Sequence, residues 1–174
     1  MSIPSSVIYR VRQFARALGA RVQPEELHLV KGYLTPVQLE LFRSMPRNDQ
    51  RHGLDVFGTL LQEGYTDRAL LQAALLHDVG KAGRGLRLWH RVAIVLIRAV
   101  RPELVLRMAR DEPGNWRYPF YIHLHHAAWG AELAQRAGCL PLAVELIRRH
   151  QDPLPAAWRE ARLLAALQAA DGDN

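Results

Sequence analysis

An apolar helix that ends in a histidine and an aspartate limits the folds open to this 174-residue chain more than any other feature. In the run LLQAALLHDVGK (70–81), apolar residues at helical spacing lead to His77: Leu70, Ala73 and Ala74. Asp78 follows about 100° further round the helix. An ionised carboxylate turned toward a core is unfavourable unless it is paired or binds a metal. The chain must therefore fold so that other polar groups meet His77 and Asp78.

Four more polar residues lie on the apolar stripes of other predicted helices: His52, His126, His150 and Asp171. A single buried histidine is usually a hydrogen-bonded core residue. Four histidines and two aspartates on five stripes indicate instead that the stripes converge on a metal. Imidazole and carboxylate ligands without a thiolate predict one or two divalent ions of Mn, Fe, Zn, Co or Ni.

Composition favours an all-α fold, because Ala, Leu, Arg, Glu and Gln dominate the chain. Cys139 is the single cysteine, which excludes a disulfide framework and a thiolate zinc cluster. The net charge of +6 comes almost entirely from arginine, which suits a small phosphorylated partner, although codon bias would give the same excess. No basic run is interleaved with aromatic residues, so no stable nucleic-acid partner is expected.

Apolar residues at helical spacing mark the predicted helices, and Pro and Gly residues mark the boundaries between them. Thr35-Pro36 reads as an N-cap followed by a first-turn proline, and Pro46 stops that helix. The first 18 residues lack the apolar core of a signal peptide, which predicts a cytoplasmic protein without a transmembrane segment. The predicted helices cover 5–18, 36–45, 48–63, 67–80, 87–100, 102–110, 118–137, 141–151 and 156–171.

The role of segment 83–117 is open at this point. Its stretch from Trp89 to Val100 is strongly apolar but carries Arg91 and Arg98, and it is too short and too charged to span a bilayer. A core helix, a homodimer face and a membrane-surface helix all fit the pattern. Residues 111–119 read as a loop.

The order of these residues resembles the HD-domain metal-dependent phosphohydrolases over about 48–171. The resemblance is carried by His52, by LLHDVGK (75–81) and by Asp171 in QAADGD. HHAAWGAELAQRAG (125–138) and ELIRRHQDP (145–153) resemble the two further histidine segments of the binuclear branch, although the GYP signature of its cyclic-dinucleotide phosphodiesterases is absent. The resemblance implies a compact helical bundle over 47–174 with an inserted helical segment, after an N-terminal helical extension at 1–46.

The resemblance also implies roles for individual residues. The first metal would be held by His52, His77, Asp78 and Asp171, and Asp78 would bridge to a second metal on His126 and His150. His123 and His125 stay alternatives to His126. Independently of the resemblance, Lys81 lies three residues after Asp78 on the same helix face, so Asp78 and Lys81 are expected to be catalytic; a solvated lysine near a helix C-terminus is the alternative. The substrate phosphate is expected to contact Lys81 and the arginines that follow it, Arg84 and Arg87.

The activity implied is hydrolysis of a phosphate mono- or diester, of a nucleotide or a related small molecule, by a metal-activated water. Two alternatives stay open. One is a di-iron oxygenase on the HD scaffold, for which the same ligands would serve, and the other is a non-catalytic signalling module with a vestigial site.

Overall fold

The computed structural model of the chain describes residues 22–86, 88–155 and 157–173, which fold into α-helices joined by turns. None of these residues forms a strand, so the all-α prediction is confirmed. The predicted helix over 5–18 and Arg87 lie outside the described residues. The helices are α1 (Pro24–Val30), α2 (Pro36–Arg43), α3 (Arg47–Gln62), α4 (Arg68–Leu76), a 3₁₀ turn (Val79–Lys81), α5 (Leu88–Val100), α6 (Pro102–Met108), α7 (Tyr118–Arg136), α8 (Pro141–Arg149) and α9 (Ala161–Asp173).

Side chains cap the starts of α2 and α4. Thr35 caps α2 as predicted: its hydroxyl accepts from the Gln38 N–H, and the Gln38 side chain accepts from the Thr35 N–H. Asp67 caps α4 by accepting from the Leu70 N–H at 3.0 Å. Both caps bind first-turn N–H groups that have no partner within the helix.

Three sequence predictions differ from the structure at the level of elements. The helix predicted over 67–80 ends at Leu76, and a 3₁₀ turn follows from Val79, because Asp78 leaves helical geometry at φ −94° and ψ 2°. The helix predicted from residue 156 begins at Ala161, after turn residues at 159 and 160. Helix α1 was not predicted, because seven residues are too few to display a helical repeat.

Helix α4 lies at the centre of the molecule, and every residue from Ala69 to Leu76 is buried. It packs against α2, α3, α8 and α9, while α7 packs against α8 and the 3₁₀ turn. The main core therefore surrounds the end of α4 at which His77 lies. Residues of the predicted N-terminal extension, such as Val30 and Phe42, belong to this same core. The domain boundary at residue 46 stays a prediction.

Helices α5 and α6 form a separate layer. They pack on each other, and α6 packs on α7. A second, small apolar cluster of Ile94, Val105 and Phe120 holds this layer together. Among the described helices, none has the length and apolar character needed to cross a bilayer.

Candidate metal centre

The structure brings the six predicted ligands to the ends or inner faces of five helices. His52 lies on α3, His126 on α7 and Asp171 on α9. His77 and His150 are the C-cap residues of α4 and α8, and Asp78 follows His77 directly. All are buried except His52 and Asp171, which are half-buried.

One group of donor atoms lies between α3, α4 and α9. The Nε2 atom of His52 is 2.8 Å from Oδ1 of Asp171. The Nε2 atom of His77 is 3.4 Å from the same oxygen and 3.8 Å from Oδ1 of Asp78. Ligand atoms of His52, His77 and Asp78 all lie within 4.8 Å of one another, a spacing that one metal ion could bridge.

A second group shares the Asp78 carboxylate. Its Oδ1 atom is 3.4 Å from Nε2 of His126 and 3.9 Å from Nε2 of His150. The two Nε2 atoms are 3.2 Å from each other. Asp78 therefore lies between two sets of imidazoles, and the two groups could hold one or two divalent ions.

Backbone hydrogen bonds orient three of the imidazoles. Nδ1 of His77 is 2.9 Å from the Ala74 carbonyl oxygen, and the corresponding carbonyls three residues back lie 2.7 Å from Nδ1 of both His126 and His150. A neutral ring that donates from Nδ1 presents a bare Nε2, which is the usual arrangement around a protein-bound metal.

The Nε2 atoms of three histidines are suited to binding a cation. Nε2 of His77 is buried and has no hydrogen-bond partner. The facing Nε2 atoms of His126 and His150 are both lone-pair donors when their Nδ1 atoms carry the protons, and such atoms at 3.2 Å repel each other unless a cation or proton lies between them. Both features fit a site for divalent metal.

Electrostatics keeps the carboxylates ionised. Burial alone would raise the pKa of Asp78, but Lys81 and His77 outweigh burial and hold it well below its usual value. His52 and His77 outweigh burial at Asp171 and hold its pKa well below the usual range. Both groups are therefore anionic at neutral pH, as metal binding requires.

The histidines divide into two kinds. Burial lowers the pKa of His126, and it lowers that of His150 to about 3, so both rings are neutral at pH 7. At His77 burial acts in the same direction, but Asp78 and Asp171 outweigh it and raise the pKa to about 9. The raised value reflects the concentration of negative charge at His77, which also attracts a metal cation.

Lys81 lies beside the shared carboxylate. Its ammonium donates a hydrogen bond to Oδ2 of Asp78 at 2.6 Å and lies 2.6 Å from Oδ1 of the same carboxylate. The lysine side chain is mostly buried. It is the cation nearest to Asp78 among the described contacts.

Sequence reasoning missed the glycines that let the helices approach. A Cβ atom on Gly80 would lie 2.0 Å from the His126 carbonyl oxygen and 2.7 Å from the Gly130 nitrogen. A Cβ on Gly53, next to His52, would lie 2.9 Å from the Leu75 carbonyl oxygen. The only indication in the sequence is that Gly53 directly follows His52 and that Gly80 lies two residues after Asp78.

The remaining candidates surround Trp129 on α7. The His125 and Trp129 ring centroids are 5.6 Å apart, and His125 is 4.2 Å from Tyr121. The Arg84 guanidinium lies 3.7 Å from the Trp129 ring centroid, and its Nε donates to the Gly80 carbonyl. Of the three histidines in this segment, His126 is the one in the described donor groups, while His123 supplies its carbonyl to His126.

Comparison of the chain with protein-family models, with curated proteins and with solved structures gives no significant match. The functional assignment therefore depends on the site itself. Two overlapping sets of buried nitrogen and oxygen donors meet at Asp78, with a lysine beside them. Such a site could hold a divalent cation, and the lysine places a positive charge next to it.

Proposed function

We propose that this protein is a metal-dependent phosphohydrolase of the HD type. The observation that carries the proposal is the position of Asp78, whose carboxylate lies between two sets of imidazoles within 4.8 Å. A carboxylate shared by two such sets is suited to bridging a pair of divalent ions. Paired ions are used for displacement at phosphorus because they stabilise both the attacking and the leaving oxygen.

Six residues would hold the ions. His52, His77 and Asp171 would bind one, His126 and His150 the other, and Asp78 both. Divalent ions supply Lewis acidity, which makes a water nucleophilic near neutral pH and neutralises phosphate charge. The chain itself holds the imidazoles in place through three backbone carbonyls, so little reorganisation is needed during the reaction.

Lys81 and Asp78 would act on the substrate and the water. The Asp78 carboxylate would accept a hydrogen bond from the attacking water and so align it with phosphorus. The Lys81 ammonium, 2.6 Å from both Asp78 oxygens, is close enough to donate to a phosphate oxygen placed beside that carboxylate. Its charge would stabilise the additional negative charge of the transition state.

The surface of α7 supports a nucleotide as the substrate class. Half-buried rings of Tyr121, His125 and Trp129 line the helix that carries His126, and Arg84 stacks on Trp129. Aromatic and guanidinium faces are the groups on which nucleobases stack.

Phosphate release by the purified protein tests the proposal. With added Mn²⁺ or Co²⁺, the protein is expected to release phosphate from at least one nucleotide or dinucleotide in a panel. The double variant His77→Ala, Asp78→Ala should lose this activity, because it removes ligands of both groups. His28→Ala, at an exposed histidine on α1, is the matched control and should keep full activity.

Lys81→Met separates substrate chemistry from metal binding. Its kcat should fall by about a hundredfold, whereas metal content measured by elemental analysis should be unchanged. Activity that persists in the double variant would contradict the proposal. Bound iron with oxygen consumption and no phosphate release would assign the site to an oxygenase instead.

A further inference from the structure

Helix α5 leaves an apolar stripe uncovered. Trp89, Leu96 and Val100 are 58%, 39% and 78% exposed, respectively. Their spacing of seven and then four residues places them on one side of the helix. Ile94, directed to another side, is buried in the small cluster with Val105 and Phe120. One side of α5 therefore packs against the small apolar cluster, and another side exposes large apolar side chains to solvent.

The exposed apolar side chains are concentrated in this layer. Leu106 on α6 is 66% exposed and Trp116 in the following loop is 64% exposed, in addition to the α5 stripe. Elsewhere among the described residues, large exposed apolar side chains stand singly on α1, α2 and the loops next to α8: Leu29, Val37, Leu140 and Leu154. Single exposed apolar residues need no explanation, whereas a concentration in one segment marks an interaction surface.

The charge of the segment indicates the kind of partner. Residues 88–117 contain six arginines against one aspartate and two glutamates, a net +3 out of +6 for the whole chain. Arg101, Arg107 and Arg110 are exposed, and so are Glu103, Asp111 and Glu112. The excess positive charge therefore comes from residues 88–101, the α5 helix and the residue that follows it, which contain three arginines and no acidic residue. Arginine beside tryptophan and leucine is the pattern of a helix that lies in the interface of an anionic bilayer. A second copy of the chain would bring the same net positive charge to the contact.

We propose that the α5–α6 layer docks the protein on an anionic lipid surface. Trp89, Leu96 and Val100 enter the boundary between headgroups and acyl chains, and the exposed arginines bind lipid phosphates. The layer lies on the bilayer and does not span it. Since α6 packs on α7, which carries His126, docking would hold the candidate metal centre close to the membrane surface. The inference does not depend on the proposed hydrolase activity.

Cosedimentation of the full chain with lipid vesicles tests the inference. Wild-type protein should bind phosphatidylcholine vesicles that contain about a quarter phosphatidylserine and should not bind pure phosphatidylcholine vesicles. Because arginine contacts are screened by salt, raising the ionic strength to about 0.5 M should weaken binding at least severalfold. Trp89 emission should shift to shorter wavelength on binding, and Trp89→Phe should remove most of that shift.

Charged substitutions on the stripe provide the decisive comparison. Leu96→Glu, Val100→Glu should reduce the partition onto anionic vesicles by about tenfold or more. Val37→Glu, at a 62% exposed valine on α2, is the matched control and should bind like the wild type. Circular dichroism verifies that each variant is folded.

Several outcomes would overturn the inference. They are wild-type protein that does not bind anionic vesicles, equal binding to neutral and anionic vesicles, and equal loss of binding in the stripe variant and the Val37→Glu control. A dimer in light scattering that the stripe substitutions dissociate, without vesicle binding, would assign the surface to a second copy.

Discussion

At the scale of single residues, the position of Asp78 depends on how α4 ends. The helix stops at Leu76, His77 caps it, and Asp78 takes φ −94° and ψ 2°. This change of backbone direction lets two consecutive side chains serve one site: the His77 Nε2 atom lies 3.8 Å from the Asp78 carboxylate. On a continuing helix, neighbouring side chains would diverge by about 100°.

Gly80 should be the residue least tolerant of a small substitution. In Gly80→Ala the new methyl group would lie 2.0 Å from a backbone oxygen of α7, which cannot move like a side chain. We expect a loss of about 3 kcal/mol in the free energy of unfolding, the upper part of the range for overpacking, together with weaker metal binding. Chemical denaturation and a metal titration measure the two effects.

Gly58→Ala is the control for Gly80→Ala. Its Cβ atom would meet nothing within 4 Å, and it lies inside α3. Alanine in a helix interior is favoured over glycine by about 0.5–1 kcal/mol, so this variant should be slightly more stable than the wild type. The close contact of Gly80 would be refuted by a Gly80→Ala protein as stable as the Gly58→Ala protein.

Cys139 should react slowly with thiol reagents. Burial raises the pKa of its thiol to about 11, so at pH 8 roughly one thiol in a thousand is ionised. We expect slow reaction with Ellman's reagent in the native protein, with a rate that rises as the pH approaches 11, and rapid reaction in denaturant. Equal rates in the native and denatured protein would show that the thiol is accessible.

At the scale of elements, α4 matters most because it carries His77 and is buried along almost its whole length. Its start is set by Asp67, whose carboxylate accepts from the Leu70 N–H at 3.0 Å. Asp67→Ala should lower the free energy of unfolding by about 1 kcal/mol, the usual effect of removing an N-cap. Thermal and chemical denaturation measure it.

Asp67→Ser tests whether capping is the cause of that loss. Serine is about as good an N-cap as aspartate, so this variant should keep most of the wild-type stability. If serine destabilised the protein as much as alanine, the role of Asp67 would have to be sought in its charge rather than in its hydrogen bond.

Local patterns were sufficient to predict most helices but not their ends at the site. The Thr35-Pro36 signal predicted the start of α2, and the apolar periodicity predicted α3 and α7 within two residues. The predicted end of α4 was wrong. The apolar periodicity of the sequence continues through Asp78, whereas the helical backbone ends before it. That end is set by the close contact of the 3₁₀ turn with α7, which is distant in sequence.

The same distinction applies to the candidate ligands. Polar residues on apolar stripes were recognised in the sequence, since a buried His or Asp needs a partner wherever the helices meet. The backbone carbonyls that orient His77, His126 and His150 lie three residues before each ring, but only the structure shows that the rings turn toward them. The need for glycine at position 80 could not be predicted, because its contact with α7 is tertiary.

At the scale of the whole molecule, the candidate site joins five helices that otherwise meet through apolar contacts. The ligands come from α3, α4, α7, α8 and α9, so unfolding must separate them. Nε2 of His77 is buried without a hydrogen-bond partner, and the Nε2 atoms of His126 and His150 face each other at 3.2 Å. An ion that binds this site stabilises the native state selectively, since the unfolded chain cannot assemble the same ligands.

Removal of metal should therefore lower the thermal stability of the protein. At a free ion concentration about a hundred times Kd, bound metal adds about 2.7 kcal/mol to the free energy of unfolding. For a chain of this length that corresponds to an increase in Tm of about 5–10 °C. Calorimetry on chelator-treated protein, before and after titration with Mn²⁺, Co²⁺ or Zn²⁺, measures the shift.

Two variants decide whether that shift comes from the candidate site. His28→Ala removes an exposed histidine of α1 and should respond to metal like the wild type. His77→Ala removes a buried nitrogen within 3.4 Å of Asp171 and 3.8 Å of Asp78, so its Tm should change little when metal is added. A wild-type Tm that is independent of every metal tested, or a full shift in His77→Ala, would mean that the six side chains converge without binding an ion.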